Sequence, residues 1–203
     1  MNRLGIFGGT FNPIHKGHIN LVRHFRDKLE LDKVLVIPTN VPPHKQTPCL
    51  APVEDRMAMC KLACQPYPFL RICDIEAKRS GSSYTSETLE QLEIEYPNTE
   101  MYLLMGSDMF LSFERWHNYQ EIMNKAVICT AAREDGQIAL LKEQERHLED
   151  IGGSVVLLEH LDVIDLSSTE MREMLKYTGT TQGHLDYSVE RYILEHGLYI
   201  KAD

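Results

Sequence analysis

Two histidines three residues apart, His15 and His18, stand where a glycine-rich turn gives way to a helix. The turn, Gly8-Gly9-Thr10-Phe11-Asn12-Pro13, follows a short apolar run over residues 4–7 that is typical of a buried parallel strand. In open α/β sheets, a strand, a glycine turn and a helix start present backbone N–H groups to a phosphate. The positive end of the helix dipole and two imidazoles would then act on one anion, so this stretch predicts phosphate handling.

The stretch matches neither of the two common phosphate-binding motifs, the P-loop G-x-x-x-x-G-K-[ST] and the dinucleotide fingerprint G-x-G-x-x-G. The string G-G-T-F-N-P-x-H-x-G-H, over residues 8–18, resembles instead the H-x-G-H signature of small-molecule nucleotidyltransferases. Within that group the whole chain resembles the bacterial nicotinate-nucleotide adenylyltransferase family. The resemblance implies transfer of the adenylyl group of ATP to nicotinate mononucleotide, with release of pyrophosphate, in NAD biosynthesis.

A second polar helix start lies near the C-terminus, in the string Ser167-Ser168-Thr169-Glu170-Met171-Arg172. Taken alone, it is a capping box with Ser167 as the N-cap and Glu170 three residues on. Three hydroxyls and an arginine at a helix start also suit a polyphosphate. The string S-S-T-x-x-R resembles the second signature of the family, which implies that one triphosphate contacts both helix starts, with His15, His18 and Arg172 as catalytic residues.

A third ligand-facing turn is predicted at Gly106-Ser107-Asp108, directly after the apolar strand Met101–Met105. Asp108 suits either a helix cap or a ribose hydroxyl, and the resemblance favours the ribose. The residues expected to bind ATP are Gly8, Gly9, Thr10, Phe11, His15, His18, Gly106, Asp108, Ser167, Ser168, Thr169 and Arg172.

The loop from Thr39 to Pro52 follows the carboxyl end of a predicted strand, the side on which open α/β sheets bind ligands. Its composition also fits a surface connector. The segment V-P-P-H-K resembles the family at this position, which implies that Asn40, His44 and Lys45 contact the second substrate.

Two further segments resemble the part of the family that holds the pyridine nucleotide. In S-Y-T-x-x-T-L, a hydroxyl at Ser83 or Thr85 is explained by N-capping alone, whereas the resemblance implies that Tyr84 and Thr85 line the pyridine pocket. A lone tryptophan usually belongs to a core, but the match to W-x-x-x-x-x-I implies that Trp116 stacks on the nicotinate ring.

Two positions depart from the family pattern. The family has R-P-G where this chain has Arg133-Glu134-Asp135-Gly136, so the expected substrate contact of Arg133 is left open. Many members have F-D-P where this chain has Asn12. Asparagine keeps an acceptor and shapes a turn without the charge, so we expect activity without a charged role for Asn12.

The elements that position these residues form an α/β pattern of buried strands and amphipathic helices. Residues 19–31, 52–65, 137–150 and 187–196 are expected to be helical, and residues 33–38, 69–74, 126–131 and 155–158 to be strands. This pattern predicts a Rossmann-like, mainly parallel sheet with helices on both faces, folded as a single nucleotidyltransferase domain over residues 1–203. The site is expected across the carboxyl ends of the first and fourth strands.

The bulk composition restricts the partners. A net charge of −9 argues against nucleic acid and anionic membranes as partners. Five cysteines without a C-x-x-C pair, and an N-terminus that enters a strand at once, favour a cytoplasmic protein with reduced thiols. Cys60 and Cys64 are interpreted as core residues rather than metal ligands. We expect Mg²⁺ to arrive with ATP, held by phosphates and water rather than by a protein cage.

Other functions stay open at this stage. Pantetheine phosphate or nicotinamide mononucleotide is an alternative acceptor, and a nucleotide-binding module without turnover is an alternative of another class. Class I aminoacyl-tRNA synthetases share a similar histidine motif, but the chain is short and acidic and carries no K-M-S-K-S run. The sequence is also compatible with a homo-oligomer.

Overall fold

A computed structural model of the chain describes residues 2–41, 49–132 and 135–200. Within these ranges six parallel strands form one sheet in the order β3-β2-β1-β4-β5-β6. The strands are β1 (Arg3–Gly9), β2 (Lys33–Pro38), β3 (Leu70–Ile72), β4 (Glu100–Leu104), β5 (Ala126–Ala131) and β6 (Val155–Leu158). The strand order reverses between β1 and β4, and such a reversal opens a crevice at the carboxyl ends of the strands.

The helices cover both faces of the sheet. They are α1 (Lys16–Leu29), α2 (Val53–Cys64), α3 (Thr85–Glu95), α4 (Ser107–Leu111), α5 (Tyr119–Lys125), α6 (Ile138–Asp150), α7 (Ser168–Thr178) and α8 (Tyr187–Glu195), with short 3-10 turns at Phe113–Arg115 and Asp135–Gln137. The Rossmann-like architecture predicted from the sequence is confirmed, and the described sheet is parallel throughout.

Two buried clusters, one on each face, hold the layers together. Along β2 the side chains alternate between them: Val34 and Val36 pack into the cluster that includes helices α1, α2, α7 and α8, while Leu35 and Ile37 pack into the cluster that includes α3, α5 and α6. Because both faces of this strand are covered, its sequence is a continuous apolar run.

Several boundaries differ from the expected ones. Helix α1 begins at Lys16 rather than near Ile19, because His15 caps it, and it ends at Leu29 because Glu30 is left-handed, with φ of 52°. Strand β3 is limited to Leu70–Ile72, since it pairs only with residues 34–36 of β2.

Candidate active site

A cavity of about 420 Å³ lies at the carboxyl ends of β1 and β4, as expected. Its volume is in the range of small-molecule sites. Every residue that the sequence predicts to contact ATP lines this cavity, namely Gly8, Gly9, Thr10, Phe11, His15, His18, Gly106, Asp108, Ser167, Ser168, Thr169 and Arg172. Two motifs separated by about 150 residues of sequence therefore meet at one place.

Helix α1 begins with a reciprocal pair of hydrogen bonds between two histidines. The backbone N–H of His15 donates to Nδ1 of His18 at 3.2 Å, and the N–H of His18 donates to Nδ1 of His15 at 3.4 Å. The two rings stack with centroids 3.6 Å apart. This is a capping box in which imidazoles take the places usually held by a hydroxyl and a carboxylate.

The capping box determines which ring nitrogen carries hydrogen. A nitrogen that accepts from a backbone N–H has no hydrogen of its own, so in this arrangement the hydrogen of each neutral ring is on Nε2. Both rings line the cavity. Each histidine is thus able to cap the helix with Nδ1 and to offer Nε2–H as a hydrogen-bond donor.

Helix α7 begins with the capping box expected from its sequence. The N–H of Glu170 donates to Oγ of Ser167 at 3.2 Å, and the N–H and hydroxyl of Ser167 both donate to the carboxylate of Glu170 at 2.8 Å. These donated hydrogen bonds hold the pKa of Glu170 below its usual value of 4.5. The carboxylate is therefore ionised at neutral pH.

Two hydrogen bonds join the start of α7 to the turn after β1. Ser168 Oγ donates to the carbonyl of Pro13 at 2.9 Å, and Arg172 Nη1 donates to the carbonyl of Asn12 at 2.8 Å. Arg172 Nη2 also donates to Thr169 Oγ1 at 3.1 Å. These direct contacts therefore hold the two helix starts together at one cavity.

Gly17 explains how closely the two motifs approach each other. A Cβ at this position would lie 2.7 Å from the carbonyl oxygen of Ile164, in the segment that leads to α7, and 3.1 Å from His15 Nδ1. The same segment is tied to α1 by a hydrogen bond of 3.0 Å from the N–H of Ile164 to Asn20 Oδ1. Only glycine leaves room for this contact.

Tyr84, Thr85 and Trp116 line the cavity on the side of α3. Tyr84 is the N-cap of α3 and its ring lies 4.4 Å from that of His117, another lining residue. The expectation that Ser83 or Thr85 caps this helix is wrong, because within the described part of the chain no side chain makes a capping hydrogen bond to α3.

Three other predicted substrate residues, His44, Lys45 and Arg133, lie outside the described residues. Asn40 lies beside the cavity without lining it. Its side-chain amide donates to the carbonyl of Arg79 at 2.8 Å, and its N–H donates to Ser83 Oγ at 3.1 Å. Asn40 thus joins β2 to the segment before α3, which differs from the direct contact expected of it.

Asp108 is not a helix cap, since Gly106 takes that position and no described side chain caps α4. Its side chain is exposed at the rim of the cavity. Of the two roles open at this position, capping is excluded and the ribose contact stays a prediction.

Glu76 is a lining residue that sequence reasoning missed, because it stands in a stretch interpreted as a polar connector. It is 5% exposed, and its carboxylate accepts from Thr88 Oγ1 at 2.9 Å. Burial raises the pKa of Glu76, and the hydroxyl hydrogen bonds offset part of that effect. The hydrogen bond from Thr88 ties Glu76 to α3 at the cavity.

Arg56 was also missed, because an arginine in an amphipathic helix is normally solvated. It is 1% exposed, and it donates to the carbonyl of Ala51 at 3.0 Å and to the carbonyls of Thr10, Thr39 and Asn40 at 2.7–3.1 Å. Its guanidinium joins the loops that follow β1 and β2. No sequence signal distinguishes it from the other charged residues of α2, Glu54, Asp55 and Lys61, which are exposed or half-buried.

Within the described ranges, no group of three or more histidine, cysteine or acidic side chains is arranged to hold a metal ion. Cys60 and Cys64 are buried, and burial raises the pKa of Cys64 to about 12. Their interpretation as core thiols agrees with this geometry. In the same ranges, no helix has the length and apolar character needed to cross a bilayer.

Comparison with known proteins places the chain among nucleotidyltransferases. The cytidylyltransferase-like family matches residues 6–174. Two proteins named "Probable nicotinate-nucleotide adenylyltransferase" are similar over almost their full lengths: one from Shewanella pealeana is 35% identical over 97% of this chain and 95% of its own, and one from Dehalococcoides mccartyi is 38% identical over 98% of each. A solved structure of Plasmodium falciparum nicotinic acid mononucleotide adenylyltransferase has the same fold, with a TM-score of 0.80, 17% identity and 98% of each chain covered.

Proposed function

The chain belongs to the nicotinate-nucleotide adenylyltransferase family, and we propose that it transfers the adenylyl group of ATP to nicotinate mononucleotide at the cavity between β1 and β4. The products are nicotinate adenine dinucleotide and pyrophosphate, and the reaction belongs to NAD biosynthesis. The observation that carries the assignment to this cavity is that the starts of α1 and α7 meet there, joined by the hydrogen bond from Arg172 to the Asn12 carbonyl.

We assign the triphosphate of ATP to the turn after β1 and the two helix starts. Backbone N–H groups from Gly8 to Thr10, Nε2–H of His15 and His18, and the guanidinium of Arg172 are the donors in this arrangement. The ribose contacts Asp108. Local donors of this kind are needed because the net charge of the whole chain, −9, opposes an anionic ligand.

We assign the pyridine ring of nicotinate mononucleotide to the side of the cavity where Tyr84, Thr85 and Trp116 lie. Trp116 provides a stacking surface. The start of α3 has no capping side chain among the described residues, so its first N–H groups suit the ring carboxylate. This feature favours nicotinate over nicotinamide, whose neutral amide gains less from a helix N-terminus.

The reaction needs no protein nucleophile. An oxygen of the nicotinate mononucleotide phosphate attacks the α-phosphorus of ATP, the new P–O bond forms, and the bond to the pyrophosphate oxygen breaks with its electron pair. The attacking phosphate is already an anion, so the protein must align two anions and stabilise charge on the transferred group. His18 donates from Nε2 to that group, while Arg172 stabilises the charge on the phosphates that leave.

Mg²⁺ is assigned to the phosphates of ATP. Among the described lining residues the acidic side chains are Asp108 and Glu76, and Glu76 is buried and accepts a hydrogen bond from Thr88, so this donor set does not form a protein cage. This fits a hydrated ion held largely by substrate oxygens, where it would neutralise phosphate charge.

The test is pyrophosphate release by the purified protein with ATP, Mg²⁺ and one acceptor at a time. Nicotinate mononucleotide is expected to give the highest kcat/KM, ahead of nicotinamide mononucleotide and pantetheine phosphate. A preference for pantetheine phosphate would overturn the substrate assignment, and ATP binding without turnover of any acceptor would overturn the assignment as an enzyme.

The location and the remaining partners follow from the same proposal. The substrates are small molecules, and a net charge of −9 opposes binding to nucleic acid. The described cysteines Cys49, Cys60, Cys64, Cys73 and Cys129 are all free thiols. We therefore propose a cytoplasmic enzyme without a nucleic-acid partner.

A further inference from the structure

Asn12 lines the cavity and connects four parts of the chain there. It is 2% exposed, and its Oδ1 accepts from the N–H of Ala51 at 3.0 Å and from the hydroxyl of Tyr199 at 2.6 Å. Its Nδ2 donates to the carbonyl of Cys49 at 3.2 Å, and its own carbonyl accepts from Arg172 at 2.8 Å. Both lone pairs of the amide oxygen are used, so the side chain has one orientation that satisfies these partners.

The contact with Tyr199 comes from the C-terminal tail. After α8 the chain turns at Gly197, with φ of 63°, and the N–H of Leu198 donates to the carbonyl of Ile193 at 3.0 Å. This turn sends the half-buried ring of Tyr199 toward a residue 187 positions earlier in the sequence. Burial raises the pKa of Tyr199 above its usual value of 10, so the hydroxyl keeps its proton and is a donor at all working pH values.

We propose that Tyr199 is a positioning residue of the ATP site: its hydroxyl holds Asn12, and the Asn12 carbonyl orients the guanidinium of Arg172 toward the triphosphate. The proposal rests on the proposed function, which assigns Arg172 to the phosphates. A guanidinium has five N–H donors, and the contacts with Asn12 and Thr169 use two of them. Fixing these two orients the same planar group toward the cavity.

The alternative is that Tyr199 only stabilises the fold. Tyr192 on α8 provides a matched control, because its hydroxyl also joins the C-terminal region to the body, by a hydrogen bond of 2.8 Å to Asp55 of α2. Neither Tyr192 nor Asp55 lines the cavity. Each tyrosine-to-phenylalanine change removes one hydroxyl and one hydrogen bond, and only one of them affects a residue bonded to Arg172.

The experiment compares Tyr199→Phe with Tyr192→Phe in steady-state assays with ATP and nicotinate mononucleotide. Tyr199→Phe is expected to raise the KM for ATP by about 3- to 10-fold, the effect of one lost hydrogen bond, and to change the KM for nicotinate mononucleotide by less than about 2-fold. Tyr192→Phe is expected to leave both constants within about 2-fold of wild type. Because each variant loses one hydrogen bond, the two are expected to lower the melting temperature by similar amounts.

A double-mutant cycle then tests whether Tyr199 acts through Arg172. In an Arg172→Lys background, Tyr199→Phe is expected to cause no further rise in the KM for ATP. The inference would be overturned by an equal change in the KM for ATP in Tyr199→Phe and Tyr192→Phe, or by an unchanged KM for ATP in Tyr199→Phe. Those results are distinct from failure of the proposed function, in which the wild-type protein itself would not turn over.

Discussion

Helix α1 begins with hydrogen bonds exchanged between two histidines, and helix α7 begins with hydrogen bonds exchanged between a serine and a glutamate. Both boxes satisfy orphan N–H groups of a helix that faces the same cavity. They differ in charge. The α1 box uses neutral Nδ1 acceptors, whereas the α7 box contains an ionised carboxylate, Glu170.

This difference in charge gives the two helix starts different roles toward the triphosphate. Near a triphosphate, the two histidines add hydrogen-bond donors, while Glu170 adds a negative charge that Arg172, two residues further on, must offset. We infer that the start of α1 stabilises charge on the transferred group, and that the start of α7 holds the phosphates that leave and, through Arg172, offsets their charge. The comparison predicts unequal effects when each box is altered.

The largest effect is expected from His18→Asn. The Oδ1 of asparagine is bonded to Cγ, as Nδ1 of histidine is, so the variant keeps an acceptor for the N–H of His15 and loses the donor at Nε2. We expect kcat to fall by about 10²- to 10³-fold, the cost of one preorganised donor, with little change in thermal stability. Pyrophosphate release and thermal unfolding followed by circular dichroism measure the two quantities.

His24→Asn is the matched control, because His24 is on the same helix and contacts the Asp162 carbonyl, outside the cavity. It is expected to retain the wild-type kcat. A kcat in His18→Asn within about 5-fold of wild type would contradict the role assigned to Nε2.

A smaller effect is expected from Gly17→Ala, which pushes the two helix starts apart. The added Cβ would lie 2.7 Å from the Ile164 carbonyl, a backbone atom that moves only with its segment. We expect a loss of about 1–3 kcal/mol in the free energy of unfolding, together with a higher KM for ATP. Urea unfolding and steady-state kinetics test both parts.

Gly136→Ala serves as the control for the glycine-to-alanine change. A Cβ on Gly136 meets no atom within 4 Å among the described residues, and Gly136 itself is exposed. Stability and KM are expected to stay near wild type. If Gly17→Ala also leaves the stability and the KM for ATP near wild type, the close approach of the two motifs is not needed for ATP binding.

The two helix starts could be predicted from the sequence, because short local residue patterns specify them. The strand, turn and helix around His18, and the S-S-T-x-x-R string, are short-range signals, and the parallel sheet brings their ends to one edge. The tautomer of the histidines was not predictable, because a His-x-x-His capping box depends on ring orientations.

The supporting network was missed for a different reason. Glu76, Arg56 and Tyr199 contact partners that are far from them in the sequence, and their residue types are ordinary on a protein surface. Burial of these polar groups is decided by tertiary packing, which no local pattern encodes. Asn12 was recognised as a turn former, but its four partners became visible only in the folded chain.

The smallest effect is expected from Glu170→Gln, which keeps the α7 box and removes its charge. Glutamine is accepted at this position of a capping box, so kcat is expected to stay within about 2-fold of wild type. The stability difference should depend on pH. The folded-state pKa of Glu170 is depressed, so the carboxylate contributes stability that is present above the unfolded-state pKa and lost as pH falls through the folded-state value.

Urea unfolding of wild type and Glu170→Gln between about pH 7 and pH 3 measures this dependence, and the two proteins are expected to converge at the acid end, where the wild-type carboxyl is also neutral. Glu173→Gln makes the same charge change on α7 outside the box and controls for net charge. If the difference in unfolding free energy from wild type depends on pH in the same way for both variants, it comes from the charge of the helix. The hydrogen bonds from Ser167 to Glu170 would then not explain it. A large loss of kcat in Glu170→Gln would instead show that the α7 box takes part in the reaction, and the division of work between the two motifs would fail.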